Sequence, residues 1–328
     1  MTDLSDPAVG VVADLVRILT AMREPVRALF EPTKRVFVPF LLGAALIAAF
    51  LWLLRLRRRV PLLAFLFPRA IWLHRSALLD YRLMFARAVL HAALLGPFVV
   101  TATGVAVFVG GRLRATFGPG LAWDVGRGTV FAIFSVLAFL GDDFARYVVH
   151  MLAHRVPALW ELHKVHHSAE VMTPFTVYRA HPIESLLMRS GAAIGVGVIA
   201  GFMSYGFRGP ISGWQILGVD AIGLAWNAAG SNLRHSHVWL SYGRILEHVF
   251  ISPAQHQIHH SDQPRHFHRN FGSTLAIWDW IGRSLYVTRG RERLRFGLPP
   301  EEQNHGPTVL SAWFAPLAAI GWRRKPTA

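Results

Sequence analysis

Residues 128–167 read GTVFAIFSVLAFLGDDFARYVVHMLAHRVPALWELHKVHH. The stretch from Gly128 to Val149 is apolar enough to cross a hydrocarbon core of ~30 Å, which takes about 20 residues as a helix. Asp142, Asp143 and Arg146 sit in its last turns, and it runs directly into His150-Met-Leu-Ala-His154 and His163-Lys-Val-His166-His167. A third histidine box, His256-Gln-Ile-His259-His260, follows after a long apolar interval. Residues three and four apart share one face of a helix, so each box can aim its imidazoles at one point. Neutral imidazole suits iron, zinc, copper and nickel. The eight imidazoles exceed what one tetrahedral zinc requires, and the economical reading is a pair of metal ions held by nitrogen.

Composition points the same way. Of the 328 residues, 53% are hydrophobic and only 16% charged, with a mean hydropathy of +0.35. The net charge of +15 would suggest nucleic acid in a soluble protein. Here the arginines stand beside apolar segments, as in Arg55-Leu-Arg57-Arg58-Arg59, which favours anionic lipid headgroups. No nucleic-acid motif is present. There is no cysteine, so thiolate metal sites, iron–sulfur clusters and a cysteine nucleophile are excluded. Any metal rests on His, Asp and Glu.

An all-α membrane bundle follows, capped by histidine-rich helices that hold a di-metal site. Apolar runs at Phe37–Leu54, Arg87–Gly110, Gly128–Val149, Ser190–Tyr205 and Ile211–Gly230 predict five crossings, the last two as a hairpin around Gly206-Phe-Arg-Gly-Pro210. Residues 1–35 read as a loosely ordered or amphipathic lead-in, 36–285 as the membrane-embedded catalytic domain, and 286–328 as a basic tail. The arginine-rich stretch 55–87 is expected on the cytoplasmic side. Counting crossings from there places all three boxes on that same side, at a bacterial inner membrane. His74, His91, His248 and His305 read as interfacial or tail residues, and His266 and His268 as surface residues, with lining of the site entrance as the alternative. Asp143 precedes His150 by two helical turns and is expected to orient its ring, as carboxylates commonly do for metal-bound histidine.

The boxes have distinctive company: Asp143-Phe-Ala-Arg-Tyr147, His167-Ser-Ala-Glu170, Tyr178-Arg-Ala-His181-Pro-Ile-Glu184, Asn232-Leu-Arg-His235-Ser-His237, Ser252-Pro253, Asn270-Phe-Gly272 and Trp278-Asp279. With these, about residues 140–285 resemble the fatty acid hydroxylase/sterol desaturase superfamily, the membrane-bound di-iron oxygenases. The His-x-x-x-His form of the first box fits that superfamily better than the longer spacing of acyl-CoA desaturases. The resemblance implies two iron ions, with zinc able to replace them in preparations, and dioxygen as co-substrate. It implies ligation by His150, His154, His163, His166, His167, His256, His259 and His260. It adds His235 as a further ligand, and His237 and His181 as ligands or as residues beside the site.

The expected activity is hydroxylation of a lipid C–H bond, on an acyl chain or on a headgroup such as that of ornithine lipid. No flavin, haem or nicotinamide motif is present. Two electrons per turnover must therefore come from a separate ferredoxin, cytochrome or reductase. Desaturation of a lipid or sterol by the same site is the alternative within enzymes. A histidine-rich membrane metal-binding or transport protein is the alternative outside them, although here the histidines flank the spans instead of lying within them. A zinc metalloprotease would need His-Glu-x-x-His, and the first box lacks the glutamate.

Overall fold

The computed structural model describes residues 16, 19–20, 22–90, 100–209, 211–213, 215–216, 219–302 and 306–323. Among these the regular structure is helical apart from two paired two-residue strands. The principal helices are α1 (Val38–Arg55), α2 (Arg75–Leu90), α3 (Ala102–Phe117), α4 (Arg127–Arg155), α5 (Pro157–His167), α6 (Pro182–Gly206), α7 (Ala221–Ala228), α8 (Pro253–His259) and α9 (Val309–Arg323). Three of them, α1, α4 and α6, are long and apolar enough to cross a membrane. The pair Leu62–Trp72 and Arg75–Leu90, bent by 80°, would make a fourth if taken as one broken span.

Helix α4 has 29 residues, so at 1.5 Å per residue it is ~43 Å long. That exceeds a ~30 Å hydrocarbon core, and the surplus at its C-terminal end carries the first histidine box. α6 runs antiparallel beside it, and their backbones nearly touch. A Cβ built on Gly195 would collide with the Gly141 carbonyl oxygen, and one on Gly191 would meet Val149 at 2.6 Å. The other side of α6 receives α3, with Gly197 against Val105 and Gly201 against Val109. Small residues let apolar helices approach closely enough for dispersion and packing to hold them.

Two of the five expected crossings do not form as single helices. The run Arg87–Gly110 is interrupted: residues 91–99 lie outside the described residues, Val100 and Thr101 are not helical, and α3 begins after Thr101, whose hydroxyl accepts the Gly104 N–H. His91 and His305 lie outside the described residues. The run Ile211–Gly230 is not a helix of spanning length. Gln215–Ile216 pairs antiparallel with Val219–Asp220, and Asp220 caps the eight-residue α7 by accepting the Gly223 N–H. Hydropathy averages over a window and does not register one capping hydroxyl or carboxylate, yet such a group sets where a helix starts. The return from the far end of α6 is nevertheless made: Gly206 lies by Trp123, Gly213 against Phe134 and Ser135, and Ala228 against Gly43.

The cap is cemented by two apolar clusters. Leu79, Leu83, Val165 and Ala312 join α2, α5 and α9, and Ala44, Ala48, Leu233 and Val238 join α1 to the segment that carries His235. Helix α9 is therefore tied to the cap.

Candidate metal centre

The histidines converge where α4, α5 and α8 meet. His150, His154, His163, His167 and His259 form one group, and His166, His235, His256 and His260 a second; within each, one ring nitrogen per residue lies within 4.8 Å of all the others. The distribution is crossed. The second box sends His163 and His167 to the first group and His166 to the other. The third box sends His256 and His260 to the second group and His259 to the first. Each His-x-x-His-His helix thus builds both groups at once.

Local sequence explains how these short helices hold still. Proline occupies the first turn of α5, α6 and α8, where its missing N–H costs nothing and its fixed φ suits the helix. α8 has only seven residues but carries a capping box: Ser252 accepts the Gln255 N–H and the Gln255 side chain accepts the Ser252 N–H. Buried Glu247 accepts hydrogen bonds from the Ser252 and Ser241 hydroxyls and from the Thr288 N–H. Gln257 donates to the carbonyls of Leu233, Ser236 and Val238, locking α8 to the turn that presents His235.

Hydrogen-bond accounting tests whether these residues fit metal ions. A neutral imidazole has one N–H and one lone pair. His150 Nδ1 lies 2.7 Å from the Phe271 carbonyl, His259 Nδ1 2.7 Å from that of Arg269, and His166 Nδ1 3.1 Å from that of Arg179. His163 Nδ1 is 2.7 Å from the Glu184 carboxylate. Carbonyls and carboxylates only accept, so each Nδ1 carries the proton and each Nε2 is a bare lone pair. Yet His150 Nε2 and His163 Nε2 are 3.2 Å apart. Two lone pairs at that distance repel unless a cation lies between them. Protonating the rings is no remedy, because burial pushes His163 and His166 down to about 3. In the second group the Nε2 atoms of His235, His256 and His260 stand 3.0 to 3.2 Å from one another. The buried His154 Nε2 and His259 Nε2 have no hydrogen-bond partner. Converging, uncharged, partly orphaned nitrogens are the donor set of a metal site, and there are two such sets.

The carbonyl partners are themselves positioned. Asn270 lies between Arg269 and Phe271 with φ of 56°, a left-handed conformation that asparagine tolerates well. Its side chain donates to the Gln255 carbonyl and accepts the Tyr286 N–H. Asp279 accepts the N–H groups of Phe271 and Gly272. Arg179 is held by buried Asp80 at 2.5 Å and donates to Ser168 and Ser76, which fixes the carbonyl that His166 uses.

Several expected roles change. Asp143 does not orient His150; its carboxylate accepts the N–H groups of Thr274 and Leu275 and of the Trp278 indole. It fastens α4 to the loop after the third box, and Phe271 and Glu184 supply the orienting contacts instead. His181 and His237 lie in neither group. His181 caps α6 and bonds the Trp313 carbonyl, while His237 bonds the Phe65 carbonyl. His266 is buried beside Glu292 and not on the surface, whereas His268 is exposed as expected and lines a cavity of about 250 Å³ with His154, His167, His259 and His260. His74 pairs with Glu170, and His248 bonds the Arg244 carbonyl, both away from the centre. Glu184 stood within the quoted His-Pro-Ile-Glu motif without an assigned role, although a carboxylate three residues after a histidine that opens a helix signals a fixed, inward position.

Residues 135–284 match the fatty acid hydroxylase family. An alkylglycerol monooxygenase of Xenopus tropicalis is 29% identical over 162 residues, 49% of this chain and 32% of that protein. An ornithine lipid hydroxylase of Rhizobium tropici is 31% identical over 146 residues, 44% of this chain and 40% of that protein. A lathosterol oxidase of Rattus norvegicus is 25% identical over 163 residues, 49% of this chain and 48% of that protein. The chain thus matches less than half the length of each of these relatives. No solved structure matches it significantly. The matched stretch holds both histidine groups, their carbonyl and carboxylate partners and helix α6, and over it the chain is similar to the fatty acid hydroxylase family and to relatives that include sterol-modifying enzymes.

Proposed function

We propose that this chain is an integral membrane hydroxylase that inserts one oxygen atom of dioxygen into a lipid C–H bond, using two iron ions held by the two histidine groups. The observation that carries the reading is the pair of adjacent all-nitrogen groups whose lone pairs face each other. Bound iron would supply the means of activating dioxygen; the overall balance is R–H + O₂ + 2 e⁻ + 2 H⁺ → R–OH + H₂O. The electrons come from a separate donor protein. The chain's own residues hold the ligand rings in a single tautomer: Glu184 keeps a proton on His163 Nδ1, and three backbone carbonyls do the same for His150, His166 and His259. Imidazole withstands oxidising chemistry that thiolate does not, which agrees with the absence of cysteine.

The helices α4 and α6 support membrane insertion, and the arginine-rich stretch 55–87, whose helix α2 packs on the cap through Leu79 and Leu83, supports a cytoplasmic cap. The relatives named above support a lipid substrate. The ornithine lipid hydroxylase makes a bacterial aminolipid one candidate, and the lathosterol oxidase keeps desaturation as the competing outcome. Two measurements test the proposal. Protein made in iron-replete cells should hold about two metal ions per chain, and one or none in folded protein would overturn the di-metal reading. Lipid extracts from cells with and without the protein should differ by a species heavier by one oxygen atom. A species lighter by two hydrogens would replace hydroxylation with desaturation.

A further inference from the structure

On the side of α4 and α6, both histidine groups open onto one cavity of about 260 Å³. Its wall includes His150, His163, His166, His235 and His256, so a molecule inside it lies against both groups. The rest of its polar lining is dominated by guanidinium: Arg35, Arg87, Arg146, Arg189 and Arg234. The carboxylate on the wall, Glu184, bonds His163 through Oε1 while its Oε2 is buried without a partner, and nearby Asp142 is paired with Arg146 at 2.8 Å, so two carboxylates face five guanidinium groups. The cavity therefore carries a large excess of positive charge before any metal is counted. Neutral imidazoles do nothing to balance the metal ions, which add to that excess.

The arginines are graded in depth. Arg234 is deepest, 4% exposed, and Arg189 stands exposed at the rim. Arg234 donates to the Ser231 carbonyl through Nε and to the Ser273 carbonyl through Nη1. Its Nη2 is buried without a partner. A buried donor left unmade costs about 1–3 kcal/mol, and more when charged. Burial and the neighbouring Arg234 charge push the Arg35 guanidinium well below its ordinary range, and burial pushes Arg234 down to about 10. Arg87 lies over the Tyr178 ring at 5.5 Å. Guanidinium is the side chain suited to forked recognition of phosphate or carboxylate oxygens.

We propose that this arginine cage binds the oxyanion headgroup, phosphate or carboxylate, of the lipid substrate, and that the oxidised carbon lies within a few bonds of that headgroup. The size supports the second clause. Small-molecule sites usually span ~300–1,000 Å³, so this cavity holds a headgroup and its first carbons while the acyl chains remain between the helices. The inference rests on the oxygenase reading only for the word substrate; the oxyanion preference is a property of binding.

Titration calorimetry of the detergent-solubilised, metal-loaded protein with dioctanoyl phosphatidic acid, dioctanoylglycerol and inorganic phosphate tests it. Phosphatidic acid should bind at least tenfold more tightly than dioctanoylglycerol, and phosphate should compete only at far higher concentration. Arg87→Gln and Arg234→Gln should each weaken phosphatidic acid binding by about tenfold, roughly the value of one charge-assisted contact, with bound iron unchanged. Arg234→Gln could unsettle the loop it ties to Ser273, and Arg87→Gln, on a different element, helix α2, keeps the test decisive. Equal affinity for the neutral lipid, or an unaffected Arg87→Gln, overturns the cage. Phosphate binding as tightly as the lipid overturns the headgroup assignment in favour of a soluble anion. Retained oxyanion preference without any oxygenated product would instead sink the proposed function and leave the cage standing.

Discussion

At the scale of single residues, the centre depends on contacts that set ring tautomers. Glu184→Gln keeps an acceptor for the His163 Nδ1–H but removes its charge, and Glu184→Ala removes both. A change in such a partner typically costs ~10–100-fold in metal affinity or activity. Chelator-challenge half-lives should therefore fall in the order wild type, Glu184→Gln, Glu184→Ala. Asp143→Ala should behave differently, because Asp143 serves the Thr274–Trp278 loop; its melting temperature should fall before its iron content does. An iron-depleted but thermally normal Asp143→Ala protein would return that carboxylate to the ligand rings. Acidity acts on the same atoms. His163 and His166 titrate near 3 in the folded chain against about 6.5 in an unfolded one. Between those limits the unfolded state holds more protons, so stability falls as pH drops from about 6.5 towards 3. Protons also compete with metal for the same lone pairs. Melting temperature and retained iron should both decline from pH 7 to pH 5, and a flat profile would show that the rings are not buried as described. None of the orienting carbonyls could be read from the chain, because every residue has one; only backbone geometry, as at Asn270, shows which are aimed.

At the scale of elements, the close contact of α4 with α6 fixes where His150 and Glu184 stand relative to each other. Gly195→Val puts branched carbon where the Gly141 carbonyl lies. Overpacking usually costs ~1–3 kcal/mol, and here the clash is with backbone, which has no rotamer to yield. The expected result is a lower melting temperature in detergent together with lost iron, while Gly111→Val, on an open helix face, changes neither. These two helices of membrane-spanning length were legible in the sequence because each is a long apolar run ended by polar residues. The division of Arg87–Gly110 and the small strands within Ile211–Gly230 were not. Each depends on a local side-chain acceptor, Thr101 or Asp220, whose effect on hydropathy is slight. Box spacing grouped the histidines by helix, but the exchange of His166 and His259 between groups was hidden, since it depends on how α5 and α8 cross.

At the scale of the whole molecule, a cap at one end of α4 and a loop at the other should lie on opposite sides of a bilayer. The absence of cysteine makes this simple to check. Leu121→Cys, at the exposed far end, should react with an impermeant maleimide on intact cells, and Arg265→Cys, exposed on the cap, only after permeabilisation. Labelling of both from one side would mean that α4 and α6 do not cross. The crossed assignment of the two His-x-x-His-His helices has a consequence for assembly. Capping already sets each helix, and the first ion to bind fixes α5 against α8, whichever group receives it, so that ligands of the other group need no further ordering. The chain entropy is thus spent once for two ions, and filling becomes cooperative. In a titration with ferrous iron followed by native mass spectrometry, the empty and doubly filled chains should dominate, with the singly filled form scarce at every ratio.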